Sequence, residues 1–110
     1  MLNKEFYFET FDKFREAWGE DSEMRMCIEE MSELTKELCK FMRYSRNPQS
    51  KENDEKLEQI KKNIIEETAD VLICASQIKR IFGDQAVEEV MDFKIQRGRK
   101  IVDKDFENKK

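Results

Sequence analysis

Histidine is absent from the chain, proline occurs once and glycine three times. Without histidine, the usual nitrogen ligand of zinc sites and of carboxylate-bridged di-iron bundles is missing. Cys27, Cys39 and Cys74 form no Cys-x-x-Cys pair and are odd in number. Neither a zinc site nor a disulfide framework is expected, and a reducing, cytoplasmic setting is. The start, MLNKEFYFET, has no apolar signal core. No apolar run approaches the roughly 20 residues of a membrane span. A basic stripe is missing too: Lys and Arg total 21 against 25 Asp and Glu, a formal net charge of −4. Binding to duplex nucleic acid is therefore not expected.

What the chain does contain is helical patterning. Its 110 residues predict one domain, 1–110, with a core small enough to favour oligomerisation. Charged residues make up 42% and apolar ones 38%, with few helix breakers, which predicts folded helices rather than disorder. The spacing predicts an all-α, four- to five-helix bundle. The first helix covers 9–18, with Tyr7, Phe11, Phe14 and Trp18 on one stripe and Gly19 at its end. The second runs from about Asp21 or Ser22 to Tyr44, on a seam of Met24, Cys27, Met31, Leu34, Leu38 and Phe41. Residues 45–54, SRNPQSKEND, read as a loop. The third helix spans about Glu55 to Phe82 and stops at Gly83; Asp84 is placed to cap a fourth that reaches about Val102. The first few residues and 103–110 are expected to fray.

Function is sought where polar residues break these stripes. The third helix has the seam Ile60, Ile64, Glu67, Val71, Cys74, Ile78, so Glu67 occupies a core position, and Asp70 follows one turn later. A buried carboxylate must be neutralised or compensated; a polar residue that only sets helix register is the plainer alternative. On the second helix Glu30 and Glu33 lie on one side and Glu37 continues the row, whereas Glu29 points outward. An antiparallel hairpin about the loop makes residues symmetric about Ser50 level with one another. Glu33 and Glu67 are centred there, and so are Glu30 and Asp70. Four carboxylates at one level repel unless a cation lies between them. All-oxygen ligands select Mg²⁺, Mn²⁺ or Ca²⁺, and Mg²⁺ commonly shares phosphate oxygens with a substrate. On the fourth helix Arg97 interrupts the stripe Ala86, Val90, Phe93, Ile101, with Lys94 beside it. Two readings stay open for this pair: binding phosphate oxygens, or snorkelling and pairing with a neighbouring acid.

These motifs resemble a known family. EEMSELTKEL (Glu29–Leu38) followed by EETADVL (Glu66–Leu72) is similar to the EExxE, spacer, ExxD signature of the MazG-like all-alpha nucleoside triphosphate pyrophosphohydrolases. Trp18-Gly19 ahead of the first motif and KIQRGR (Lys94–Arg99) after the second add to the resemblance, which spans about Phe11 to Arg99. The spacer is somewhat longer than is typical of the family. The resemblance implies that Glu30, Glu33, Glu67 and Asp70 bind Mg²⁺, with Mn²⁺ as a substitute. It implies water attack on a nucleoside triphosphate, giving the monophosphate and pyrophosphate. It implies a homodimer or dimer of dimers with pockets near subunit interfaces. Glu33 or Glu37 is the candidate general base, Lys94 and Arg97 are candidate substrate contacts, and Trp18 is open to core packing or to facing a nucleobase. Two other expectations compete: a phosphoribosyl-ATP pyrophosphohydrolase-like enzyme of the same fold type, and a non-catalytic helical interaction module whose acids form a solvated face.

Overall fold

The computed structural model describes residues 3–109. It is all-helical: α1 (Lys4–Trp18), α2 (Glu20–Ser45), α3 (Lys51–Phe82) and α4 (Asp84–Asn108), with no strand among the described residues. The chain divides into two compact units between Ile78 and Lys79. The first holds α1, α2 and α3 as far as Ile78; the second holds the last turn of α3, Gly83 and α4. No helix among the described residues is long and apolar enough to cross a membrane.

Local chemistry sets the helix ends, and it moves several of them from the predicted positions. α1 begins at Lys4 rather than Glu9 because the Asn3 side chain accepts from the Phe6 N–H at 3.0 Å, an N-cap that satisfies one of the orphan donors of a first turn. α1 and α2 are joined by a single residue. Gly19 has φ 87, donates to the Arg15 carbonyl at 2.8 Å and accepts from the Glu23 N–H at 3.1 Å. Gly83 repeats the device between α3 and α4, with φ 119, a 2.8 Å bond to the Lys79 carbonyl and a 3.1 Å bond from Val87. Both sit in the left-handed region that other residues rarely adopt. Gly83, not Asp84, thus occupies the cap position of α4, and Asp84 instead pairs with Arg80 at 2.8 Å.

The predicted loop 45–54 is shorter in the structure, spanning residues 46–50. Ser50 is the reason: its hydroxyl accepts from Asn53 N–H at 3.0 Å, which starts α3 at Lys51 instead of Glu55. Asn53 is buried and ties the turn together, donating through Nδ2 to the Tyr44 carbonyl at 3.2 Å and accepting from Asn47 at 3.4 Å. The predicted end of the fourth helix near Val102 is also moved. α4 runs on to Asn108, supported by i,i+4 pairing of Arg99 with Asp103 at 3.0 Å. The terminal residues 1, 2 and 110 lie outside the described residues.

α2 and the first-unit part of α3 form an antiparallel hairpin. Glu37 meets Asn63 at 3.4 Å and the Cys27 and Cys74 sulfurs lie 3.0 Å apart, so residues symmetric about position 50 are level, as the sequence predicts. The inward row of α3 is also the predicted one: Ile60 and Cys74 are buried, while Ile64, Glu67, Val71 and Ile78 are half-buried. α2 differs. Cys27, Leu34 and Phe41 face inward, but Met31 and Leu38 are 46% and 44% exposed. Their places in the inward row are taken by Glu23, Glu30 and Glu37, spaced seven apart. The aromatic stripe of α1 and the apolar stripe of α4 were expected to be core. Neither helix has a buried residue; each presents apolar side chains that find no full cover within its own unit.

Candidate metal centre

Helix geometry explains which acids converge. Residues on α2 advance 100° each, so a seven-residue step from Glu23 to Glu30 to Glu37 stays within one narrow face. That face meets α3. On α3, Glu67 lies in the inward row and Asp70 sits 60° to one side of it, one turn on. One carboxylate oxygen from each of Glu30, Glu67 and Asp70 lies within 4.8 Å of the other two. All three residues are half-buried. Oε2 of Glu67 is buried with no hydrogen-bond partner. Burial pushes the Glu30 carboxyl above its ordinary value, and the neighbouring Glu67 and Asp70 carboxylates push it further in the same direction. The cluster is thus an electrostatically unfavourable assembly of oxygen acceptors facing one small space.

Oxygen-only donors of this charge fit a hard divalent cation such as Mg²⁺ or Mn²⁺. The unsatisfied Glu67 oxygen supports that fit, because a buried acceptor without a donor costs about 1–3 kcal/mol. Glu33 is exposed and lies outside the group of three. From Glu30 it is offset by 60° in the direction opposite to Met31. In an antiparallel pair, corresponding flanks of the two helices meet, so Glu33 shares a flank with Asp70.

Of the remaining predicted site residues, Glu37 and Trp18 belong to the first unit and Lys94 and Arg97 to the second. Glu37 is buried, about two turns from Glu30 along α2, and both its oxygens are engaged: Lys40 pairs with Oε1 at 3.3 Å and Asn63 donates to Oε2 at 3.4 Å. It behaves as a cross-helix tie. Trp18 is half exposed and stacks on Phe14, with ring centroids 4.5 Å apart and planes within 15°. Lys94 and Arg97 are exposed on α4, in the second unit. The Arg97 guanidinium lies over the Phe93 ring at 5.9 Å, a cation–π contact of modest worth at an exposed site.

Two groups escaped the sequence reading. Glu23 is 1% exposed and neither of its oxygens has a hydrogen-bond partner. Burial raises its pKa, the Arg15 charge on α1 opposes the rise and Glu20 adds to it. Its signal was present as the seven-residue spacing to Glu30. The other is the thiol pair Cys27 and Cys74, both buried; burial, then Cys27, then Glu30 raise the Cys74 thiol to about 12. Comparison with protein-family models, with characterised proteins and with solved structures finds no match to this chain.

Proposed function

We propose that the chain is a Mg²⁺-dependent nucleoside triphosphate pyrophosphohydrolase, converting a triphosphate and water to the monophosphate and pyrophosphate. One observation carries this reading: three carboxylates from two helices converge within 4.8 Å, with one of their oxygens buried and unpaired. Glu30, Glu67 and Asp70 would hold the ion, and Glu33, on the same flank as Asp70, is a candidate to join them or to accept a proton from water. Mg²⁺ bound there would supply positive charge against the triphosphate and Lewis acidity towards it. The similarity of the EExxE and ExxD motifs to the MazG-like enzymes supports the choice of nucleotide over other phosphate esters.

The deciding experiment is product analysis over a panel of nucleoside and deoxynucleoside triphosphates plus phosphoribosyl-ATP, with and without Mg²⁺. Pyrophosphate and monophosphate should form only with the metal. Mg²⁺ with a non-hydrolysable triphosphate should raise the melting temperature, because a ligand bound to the native state stabilises it. In Glu67→Gln turnover should fall below detection while the far-ultraviolet helical signal is kept. Full activity in that variant would falsify the site assignment. Absence of both turnover and a metal-dependent melting shift would leave the acids as part of a non-catalytic helical module.

A further inference from the structure

Cys27 on α2 and Cys74 on α3 are 6% and 3% exposed, and their sulfurs lie 3.0 Å apart. A disulfide bond is about 2.05 Å long, so about 1 Å of approach separates this contact from a covalent one. A buried cysteine often serves only as a small apolar residue, but that role needs no second sulfur directly opposite. The third cysteine does not compete within the chain. Cys39 is exposed and lies further along α2, roughly 18 Å from Cys27 by the helical rise.

The hydrogen bonds distinguish the two sulfurs. The Cys74 thiol has two acceptors in reach, the Cys27 sulfur at 3.0 Å and the Val71 carbonyl at 3.3 Å. When its proton turns to Val71, a Cys74 lone pair faces Cys27. When the proton turns to Cys27, it favours the anionic form of that sulfur. Burial, then Cys27, then Glu30 push the Cys74 thiol up to about 12, so Cys74 keeps its proton at neutral pH. Cys27 is therefore the sulfur oxidised first, and Cys74 completes the bond.

We infer that Cys27 and Cys74 form a reversible disulfide site that fastens α2 to α3, with hydrogen peroxide as the oxidant. The Cys27 sulfur attacks one peroxide oxygen and the O–O bond breaks. Cys27 becomes a sulfenic acid, and the departing hydroxide leaves as water with the Cys27 proton. The Cys74 sulfur then attacks the Cys27 sulfur. The S–S bond forms, the S–O bond breaks, and the leaving hydroxide takes the Cys74 proton as a second water. Two thiols are oxidised and one peroxide is reduced to two waters. A dithiol reverses the bond by exchange. Burial selects this oxidant, because peroxide is nearly as small as water, whereas a bulky disulfide does not enter between packed helices. The bond closes the whole hairpin, residues 27–74, into one ring. It also stands beside the carboxylate group, since Cys27 is one turn before Glu30 and Cys74 one turn after Asp70.

The test is independent of the proposed activity and is run without nucleotide and with metal chelated. The full chain carries Cys39→Ser, which removes the exposed thiol, and is treated with millimolar hydrogen peroxide while folded. Alkylation after denaturation should fall from two adducts to none, and dithiothreitol should restore both. Trypsin without reductant should release Met26–Lys36 joined to Asn63–Lys79. The linked form should melt roughly 10 °C above the reduced one, because closing a long loop constrains the unfolded chain. Adding Cys27→Ala should remove both the joined peptide and the rise, which separates them from methionine oxidation. If that variant does not fold, the joined peptide and its loss on dithiothreitol decide the matter in Cys39→Ser alone. Two adducts after peroxide, a sulfinic acid at Cys27 without the joined peptide, or a linked form that melts no higher overturns the inference.

Discussion

The two helices of the hairpin turn different chemistry towards each other. α3 faces inward with Ile60, Ile64, Val71, Cys74 and Ile78, and a single acid, Glu67, interrupts the row. α2 faces inward with Glu23, Glu30 and Glu37 among Cys27, Leu34 and Phe41, and leaves Ile28, Met31, Leu38 and Met42 outside. Each glutamate has a different environment. Glu37 is paired with Lys40 and Asn63, Glu30 joins the carboxylate group, and Glu23 has burial without a partner. An apolar stripe shows where a helix can be desolvated; it does not say which of two adjacent stripes its own chain will cover. α3 supplies more of the apolar contact, and both helices contribute to the carboxylate group, Glu30 from α2 and Glu67 with Asp70 from α3.

That contrast can be broken most strongly on the α3 side. Ile60→Ala removes a side chain that is 6% exposed and should cost about 2–4 kcal/mol, read as a lower urea midpoint with an unchanged slope. On the α2 side the sign reverses. Glu23→Gln keeps the shape, removes a buried charge, and should stabilise the fold at neutral pH by about 1–2 kcal/mol. The pH profile sharpens this. Burial raises the Glu23 carboxyl above 4.5 in the fold, so the fold holds its proton at pH values where the unfolded chain has lost it. The stability linked to this group is fully present below about pH 4.5 and is lost as pH rises through the raised value. Glu23→Gln should abolish that decline, so wild type and variant should converge in acid and diverge towards neutrality. Urea unfolding at a series of pH values reads both effects. The smallest effect is expected at the surface. Arg25→Ala breaks a 3.1 Å i,i+4 pair with Asp21 whose side chains are about four-fifths exposed. It should change stability by less than about 0.5 kcal/mol.

Much of this arrangement was legible in the sequence. Helical spacing gave the four helices, Gly19 and Gly83 gave two of the joints, and symmetry about residue 50 gave the hairpin level at which Glu30 and Asp70 meet. Caps made by side chains were harder to see. Asn3 and Ser50 lengthen α1 and α3 through single hydrogen bonds, and no periodicity encodes these. The rotation of α2 was missed for a different reason. Met31 and Leu38 are as apolar as any core residue, so a pattern that scores hydrophobicity alone prefers their stripe. The seven-residue spacing of Glu23, Glu30 and Glu37 was an equally regular signal of opposite polarity. Glu33 lies outside the group of three, 60° from Glu30 on the flank it shares with Asp70.

The sulfurs are sorted by this architecture as well. Cys27 and Cys74 are enclosed between the helices, and Cys39 alone is exposed. Reactivity of a thiol towards electrophiles requires both access and the thiolate form. At neutral pH an alkylating dye would therefore attach once per chain, at residue 39, on an unmutated protein. The fold provides its own single attachment point for fluorescence, and a mass increase of three adducts instead of one would report that the hairpin had opened.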